Sequence, residues 1–517
     1  MKKTKRELLV LAAATTVALS MGVTVQAKGD EKVLNFGCQM YTDGCVNSAN
    51  DENGGWNAMR YGIAEALFKF DDNMEVIPWL AESYEVNDEH TEWTIKLKDG
   101  IKFSDGCDLT PTKVKEYFDH MKEVGPSGSA KPEKYLEFEA EVTVDDDANT
   151  INIKTSKPYA NLVGQLCHPT MGITDVEHIE NYDNGIIGTG PYKIESWDEG
   201  QAITLVKNED YFKGEPSIDK VVFKIVPDDN AKALQLKSGE LDLALLTPKD
   251  AAAFADDEAY TCYDMKTSDY RGIMFNFGNE YWQKNRDLIP AVCYGLDRQA
   301  IIDAVILGQG MPAYGPLQRN IYNYEDVEHY DYNPEKAKEI LEAAGCEMGD
   351  DGFYYRDGEK VGFVISVSAG DQVRIDMAQI AAQELKEIGM DVSVEIPAQT
   401  DWAGQMAFLI GWGSPFDADD HTYKVFGTDK GANYSGYSNA DVDKYLTEAR
   451  QSADPEVRAE AYANFQKALA EDPAYAMICY IDANYVADSN IKGIDPDTIM
   501  GHHGVGIFWN VADWTIE

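Results

Sequence analysis

Carboxylate and imidazole side chains are concentrated in one short stretch of the sequence, GWGSPFDADDHTY, which spans residues 411–423. Its ionisable side chains include Asp417, Asp419, Asp420 and His421. A buried carboxylate is costly unless it is paired, so it makes sense where a ligand supplies an ammonium partner. A neutral imidazole is a good nickel ligand. The stretch is therefore a candidate site for a cationic group or a metal, and the alternatives are a solvated acidic loop and a structural histidine.

Three tryptophans and one arginine are further candidates for ligand contact. Trp56, Trp402 and Trp412 have rings that suit stacking on a ligand, although each is as often part of a core. Arg60 offers a forked donor to a carboxylate. It could equally pair with Glu65 or another acid. A structural role is the alternative for each of these side chains.

The N-terminal segment has the pattern of a secretory signal peptide. A basic start is followed by an apolar stretch over residues 8–22, and Val25-Gln26-Ala27 supplies small residues for cleavage after Ala27. The alternative is an uncleaved anchor, but the apolar stretch is short for a membrane span of roughly 20 residues. No cysteine stands at the end of the segment to carry a lipid. The sequence predicts a soluble mature protein, periplasmic or extracellular and associated with the cell envelope.

Charge and missing motifs narrow the class of protein. Lysine and arginine number 45 against 90 aspartates and glutamates, a net charge of −45, which argues against nucleic acid as a partner. The sequence has no Gly-x-Ser-x-Gly, His-Glu-x-x-His, Gly-Lys or Cys-x-x-Cys. Eight cysteines are sparse, and Cys38 with Cys45 is the best candidate disulfide. A carboxylate pair for glycoside hydrolysis is not excluded by counting. With the export signal, these features favour a binding protein over an enzyme.

The elements that must position these residues alternate between strand and helix patterns. A length of 517 residues predicts about two to four domains. Alternation of polar and apolar residues predicts a strand over 92–97. Thr110 and Pro111 predict the start of a helix, and apolar spacing predicts another over 373–388 that ends at Gly389. The sequence therefore predicts an α/β fold in more than one domain.

Several local patterns follow one another along the chain. In one of them, Gly188 and Gly190 permit backbone angles that other residues resist, and Pro191 pre-sets the entry to a strand. The patterns are PWLAESY (78–84), LKDGIKFSDG (97–106), GTGPY (188–192), NEDYFKG (208–214), LKSGELD (236–242) and NPEKAK (333–338). In this order they resemble segments of family 5 extracytoplasmic solute-binding proteins, the peptide, opine and nickel receptors of ABC importers. The resemblance covers about residues 33–490.

The resemblance implies a two-lobed, periplasmic-binding-protein-like fold of type II, cluster C. Lobe one would comprise residues 28–60, 180–270 and 481–517, with an extra inserted domain over 61–179. Lobe two would comprise residues 271–480. The lobes would close on a solute by hinge motion and release it again without bond chemistry.

The implied function is capture of a small peptide or a nickel or other metal chelate, followed by delivery to an ABC permease with two membrane subunits and ATPases. The protein would act as a monomer, without a resident cofactor and without a nucleic acid partner. A secreted hydrolase acting on peptide or glycan is the alternative that the export signal and the carboxylates leave open. A sensor or adhesin that uses the same fold is another.

The resemblance also assigns roles within residues 411–423. In peptide receptors of the family an acidic residue of this region pairs with the N-terminal amine of the ligand, which makes Asp417, Asp419 and Asp420 the candidates. The nickel branch has the pattern Gly-x-Pro-Tyr-Asp-Pro-His. Asp417 would match its aspartate and His421 its metal-binding histidine, with two extra residues between them here. His168 stands where the nickel branch has an arginine that grips the chelator.

Overall fold

The structure is a computed structural model, and its described part covers most of the chain. It describes residues 31–38, 58–71, 75–124, 136, 138–177, 186–198, 200–413, 417–497 and 506–517. The signal segment, Cys45 and Trp56 lie outside the described residues, so the cleavage site, the disulfide and the stacking role of Trp56 stay predictions. Within the described ranges, no helix has the length and apolar character needed to cross a membrane.

Strands and helices alternate along the chain. The strands are β1 (Val33–Cys38), β2 (Phe68–Phe70), β3 (Val76–Pro78), β4 (Ala81–Val86), β5 (Glu92–Leu97), β6 (Glu141–Asp145), β7 (Thr150–Lys154), β8 (Tyr192–Asp198), β9 (Ala202–Lys207), β10 (Lys220–Ile225), β11 (Leu243–Leu246), β12 (Tyr260–Phe275), β13 (Gly310–Pro312), β14 (Glu347–Met348), β15 (Tyr354–Arg356), β16 (Glu359–Lys360), β17 (Gly362–Ser366), β18 (Asp391–Glu395), β19 (Ala407–Trp412), β20 (Tyr475–Asp488), β21 (Ile491–Lys492) and β22 (Thr515–Ile516). The α-helices are α1 (Pro111–Val124), α2 (Leu162–Gln165), α3 (Asp229–Ser238), α4 (Pro248–Ala251), α5 (Glu280–Asn285), α6 (Ile289–Tyr294), α7 (Arg298–Ile306), α8 (Pro334–Ala343), α9 (Gln372–Glu387), α10 (Ala418–Phe426), α11 (Ala440–Gln451) and α12 (Pro455–Glu471). The α/β fold class is therefore confirmed.

Local sequence signals place several of these elements. The predicted strand over 92–97 is β5, with alternating exposed and buried residues. Helix α1 begins at Pro111, and the Thr110 hydroxyl accepts a hydrogen bond from the backbone N–H of Lys113 at 3.3 Å. Helix α9 matches the predicted helix over 373–388 to within one residue, and Gly389 follows it with a φ of +89°.

One large sheet runs through the molecule. It has eleven strands in the order β18-β17-β19-β12-β20-β11-β1-β10-β9-β8, with β13 also paired to β20. Its centre is formed by the two longest strands, β12 with 16 residues and β20 with 14, which pair antiparallel. Their register is interrupted between Lys266 and Tyr270. A separate four-stranded sheet, β4-β5-β7-β6, lies in the region predicted as an inserted domain.

Buried apolar residues form three main clusters. One contains residues between 270 and 480, and another contains residues between 67 and 173. The third combines residues from 34–64, 186–265 and 483–514. The clusters largely follow the three regions that the resemblance implies, except that Tyr61, Ile63 and Ala64, predicted in the inserted domain, pack in the third cluster. The domain boundaries themselves stay a prediction.

Three of the sequence patterns that resemble the family meet at one buried carboxylate, Glu65. It accepts hydrogen bonds from Tyr211 Oη (2.7 Å), Trp79 Nε1 (2.9 Å) and Thr189 Oγ1 (3.4 Å). These donors belong to NEDYFKG, PWLAESY and GTGPY respectively. Burial raises the pKa of Glu65 to about 7, and the three hydrogen bonds oppose that rise.

The two glycines of GTGPY are needed for a different physical reason from the predicted one, which was an unusual backbone conformation. Neither Gly188 nor Gly190 has a positive φ. A Cβ on Gly188 would overlap the carbonyl oxygen of Ile63, and one on Gly190 would overlap that of Gly62. The explanation from unusual backbone angles is therefore wrong. These positions need glycine because two backbone segments approach too closely for a side chain.

Candidate ligand-binding cleft

A cleft opens beside the two long central strands. Its volume is about 1210 Å³ with its mouth included. Residues from both predicted lobes line it: Arg60, Tyr61 and Lys232 on one side, Asp371 and Val373 on the other. Strands β12 and β20 form its floor through side chains that include Arg271 and Asp482. The arrangement suits a solute enclosed between two lobes.

Two buried guanidinium groups lie together beside this cleft: Arg271 lines it, and Arg374 follows the lining residue Val373 in the chain. A Cβ on Gly411 would overlap Arg271 Nη1 and come within 2.8 Å of Arg374 Nη2, so both groups cover the same small area of backbone. Arg271 is ion-paired with Asp269, and Arg374 Nε lies 3.0 Å from Asp371 Oδ2. Only 4% of the Arg271 side chain and 9% of the Arg374 side chain are exposed. A buried pair of forked cations beside a cleft is suited to a ligand carboxylate.

Sequence reasoning missed both arginines. Arg271 lies in the long strand β12 and Arg374 in the first turn of α9, and Gly411 brings them together from a third element, β19. The local sequence around each gives no signal of the pairing. A spatial signal would require knowing that β12 and β19 are neighbours in the sheet, where Arg271 stands opposite Gly411.

Asp417 and Asp419 have arginine partners on lobe two. Asp417 caps α10 by accepting the N–H of Asp419 at 2.9 Å, and its two oxygens lie 2.9 and 3.1 Å from Arg458 Nη2. Asp419 Oδ2 lies 2.8 Å from Arg450 Nη2 and 2.9 Å from Arg450 Nε. Burial raises the pKa of Asp419 to about 6, and the charge of Arg450 opposes that rise.

Asp420 faces the opposite lobe. Its Oδ1 lies 3.0 Å from Lys424 Nζ, one helical turn later on α10, and 3.7 Å from Nε2 of His168. His168 Nδ1 accepts the backbone N–H of Thr170 at 3.2 Å, so in the neutral ring the proton is on Nε2, toward Asp420. A second contact between the lobes joins Gln165 Nε2 to Asp419 Oδ2 at 3.3 Å. Helix α10 is therefore the part of lobe two that meets the 165–170 segment.

His421 and three aromatic rings form a continuous wall beside Asp420. His421 Nε2 lies 3.9 Å from Asp420 Oδ2, and its ring lies 5.6 Å from that of Trp412. Trp412 stacks on Tyr434 with an interplanar angle of 20°, and Trp402 lies 4.9 Å beyond Tyr434. Trp402 and Tyr434 are 41% and 43% exposed. The wall leads from the surface to the acidic helix.

Arg60 is half-buried and lines the cleft. Its charge opposes the burial that raises the pKa of the Cys38 thiol to about 11. The carboxylate of Glu65, suggested as an alternative partner, is instead hydrogen-bonded by the three donors described above. Ligand contact by Arg60, as by the other site residues, stays a prediction.

The compact group of candidate metal ligands among the described residues lies elsewhere. The one trio of candidate ligands whose atoms all lie within 4.8 Å of one another is Asp105, Cys107 and Asp175. Lys113 Nζ already lies 3.0 Å from Asp175 Oδ2. His421 belongs to no such trio within the described ranges. A metal held at His421 would therefore need most of its donor atoms from a chelator.

The two-lobed fold with a cleft between lobes is that of a solute-binding protein. A profile described as bacterial extracellular solute-binding proteins, family 5 Middle, matches residues 75–434. The oligopeptide-binding protein AppA of Bacillus subtilis is 30% identical over 477 residues, 87% of this chain and 85% of AppA. The chain belongs to family 5 of the bacterial extracellular solute-binding proteins.

Two further comparisons extend over nearly the whole chain. The protein is similar to protein XP55 of Streptomyces lividans, with 29% identity over 515 residues, 95% of this chain and 93% of XP55. It is also similar to NikZ of Campylobacter jejuni, whose crystal structure is a complex with Ni(L-His). That structure has a TM-score of 0.85, 28% identity, and coverage of 93% of this chain and 99% of NikZ. The predicted family and two-lobed fold are therefore confirmed.

Proposed function

We propose that this protein is the substrate-binding component of an ABC importer and that it carries a small carboxylate-bearing solute, in first place a nickel–amino-acid chelate. It takes the solute from outside the cytoplasm, holds it without chemical change and releases it to a membrane permease. A short peptide is the second candidate. Family membership supports the transport role, and Arg271 in the cleft together with the Asp420–His421 pair on α10 supports the choice of solute.

The observation that carries the proposal is the pair of buried arginines. Arg271 and Arg374 place two guanidinium groups over Gly411, and Arg271 lines the cleft. A carboxylate that enters there gains charge-assisted hydrogen bonds in a site shielded from water, where such bonds are strongest. Amino-acid chelates and peptides both carry such a carboxylate.

The imidazole of His421 favours the chelate over the peptide. His421 Nε2 lies 3.9 Å from Asp420 Oδ2, whereas His168 turns a protonated Nε2 toward Asp420 Oδ1 at 3.7 Å and serves to position that carboxylate. Imidazole and carboxylate donors suit nickel. Because these donors form no closed cage, the ion would arrive with its chelator, as in the Ni(L-His) complex of the similar NikZ structure. The peptide alternative draws on the similarity to AppA and uses Asp420 as the partner of an amine.

Calorimetric titration distinguishes the two solutes. The freshly purified protein is first checked for bound nickel by metal analysis and native mass spectrometry, then stripped and titrated with nickel plus L-histidine or with a dipeptide mixture. We expect the chelate to bind, and His421→Ala to weaken chelate binding without changing dipeptide binding. Dipeptide binding that is weakened by Asp420→Asn, with no response to nickel–histidine, would establish the peptide alternative instead.

The arginine pair has its own test. Loss of a charged hydrogen-bond partner costs about 1.5–3 kcal/mol, so Arg374→Ala should weaken either solute by about 10- to 100-fold. The matched control is Arg356→Ala, which removes a lobe-two arginine paired with Asp287 and should leave affinity unchanged. Equal affinity of the wild type and Arg374→Ala for every carboxylate-bearing solute would contradict the proposal.

A further inference from the structure

A second cavity lies within lobe two. Its volume is about 1050 Å³ with its mouth included, and it shares no lining residue with the cleft. One wall is aromatic, where the rings of Tyr314 and His329 stack at 4.5 Å with an interplanar angle of 8°. The opposite wall includes the apolar side chains of Met311, Met477 and Leu469. The cavity thus combines a flat polar face with an apolar one.

Arg298, the first residue of α7, lines this cavity and is only 5% exposed. All its hydrogen bonds in the described structure go to uncharged backbone oxygens. Nε donates to Ala313 (3.1 Å) and Met477 (2.9 Å), and Nη1 donates to Cys293 (3.3 Å), Leu296 (3.5 Å) and Tyr330 (2.8 Å). Within the described ranges no carboxylate forms an ion pair with it. The positive charge is therefore compensated at contact by carbonyl dipoles and the Tyr314 ring, and at longer range by the carboxylates of Asp331 and Glu384.

The Nη2 group of Arg298 is not used by the hydrogen bonds described above. Among the described residues Nη2 makes no hydrogen bond, and it is not sealed within the core. Burial lowers the pKa of this guanidinium, the direction expected for a cation with too little negative charge around it. Buried charges in proteins are normally paired, and an exception calls for an explanation. An anion in the cavity beside Nη2 would complete the pairing.

We propose that this cavity is a second ligand site, separate from the cleft, which binds a small monocarboxylate with an apolar or aromatic body. The carboxylate accepts hydrogen bonds from Arg298 Nη2. The body packs between the Tyr314 ring, whose centroid lies 5.3 Å from the guanidinium carbon, and the side chains of Met311 and Met477. Glu325 also lines the cavity, so repulsion favours one negative charge over two.

The cavity offers a blocking variant that leaves Arg298 in place. Gly315 lines the cavity, its φ is not positive, and a Cβ there meets no atom within 4 Å. A phenylalanine at this position can therefore extend into the open space without displacing backbone. Arg374→Ala is the matched control, because it alters the cleft and leaves this cavity unchanged.

The probe is 4-bromobenzoate, added to the full mature protein after removal of any cleft solute. We expect a dissociation constant below about 1 mM, weakened at least about tenfold by Gly315→Phe and unchanged by Arg374→Ala. In a crystal soaked with the probe, anomalous scattering should place the bromine in this cavity and the carboxylate beside Arg298. Absence of binding, or affinity that persists in a folded Gly315→Phe protein, would overturn the proposal. If Gly315→Phe does not fold, the bromine position decides, and bromine found only in the cleft or on the surface overturns it.

Discussion

Replacing Glu65 with glutamine should remove a large pH-dependent term from the stability of the protein. Burial raises the pKa of Glu65 from an ordinary value of 4.5 to about 7. The difference, 7 − 4.5 = 2.5, corresponds to roughly 3 kcal/mol at about 1.36 kcal/mol per pKa unit. Because the pKa is raised on folding, the folded state binds the proton more tightly than the unfolded chain. This contribution is complete below about pH 4.5 and disappears as the pH rises through about 7.

The assay is urea denaturation at about pH 5 and about pH 8, a window that contains most of the effect. Wild type and Glu65→Gln are compared, because glutamine keeps an oxygen that accepts from Tyr211 and Trp79. Other buried acids contribute equally to both proteins and cancel in the difference. Glu82→Gln is the control, since that side chain is 52% exposed. We expect the wild type to lose about 2–3 kcal/mol more than Glu65→Gln on going to the higher pH. The same pH dependence in both would refute the reasoning from burial.

Two further outcomes follow from the packing. Asp419→Asn should lower the free energy of unfolding by less than about 3–5 kcal/mol, the loss typical of a broken buried ion pair, because the Arg450 guanidinium loses its counter-charge while burial already disfavours the ionised form of Asp419; urea denaturation measures this, and a loss of the full typical size would contradict the raised pKa. Gly188→Ala should lower the thermal midpoint, because its methyl group overlaps the Ile63 carbonyl oxygen, whereas Gly315→Ala should not; calorimetry on both variants checks the pair, and equal midpoints would contradict the close approach.

Local signals in the sequence predicted the ends of several helices, but they did not predict which side chains meet at the candidate site. Thr110-Pro111 and Gly389 mark helix ends because caps are short-range. The side chains that pair with the acidic residues of 417–420 come from both near and distant parts of the sequence. Asp420 and Lys424 share one turn of α10, a spacing that the sequence displays. The partners Arg450 and Arg458 come from other helices, and His168 comes from the other lobe.

The same distinction explains why the arginine pair escaped notice. Arg271 and Arg374 are neighbours only because β12 and β19 adjoin in the sheet and α9 packs beside them. Their pairing depends on tertiary structure alone. The convergence of three sequence patterns on Glu65 was hidden for the same reason, since each pattern supplies one donor to an acid that lies in none of them.

We expect the molecule to bend at the break in register between β12 and β20. The interruption after Lys266 falls between Met265, which packs in one apolar cluster, and Tyr270, which packs in another. Arg319 Nη1 reaches this point from lobe two, donating to the carbonyl oxygen of Thr267 and to Asp482 Oδ1 at 2.6 and 2.7 Å. A strand pair that lacks some of its backbone hydrogen bonds deforms more easily than a regularly paired one. Any swing that frees a trapped solute would therefore turn about this guanidinium, with both halves still tethered by continuous backbone.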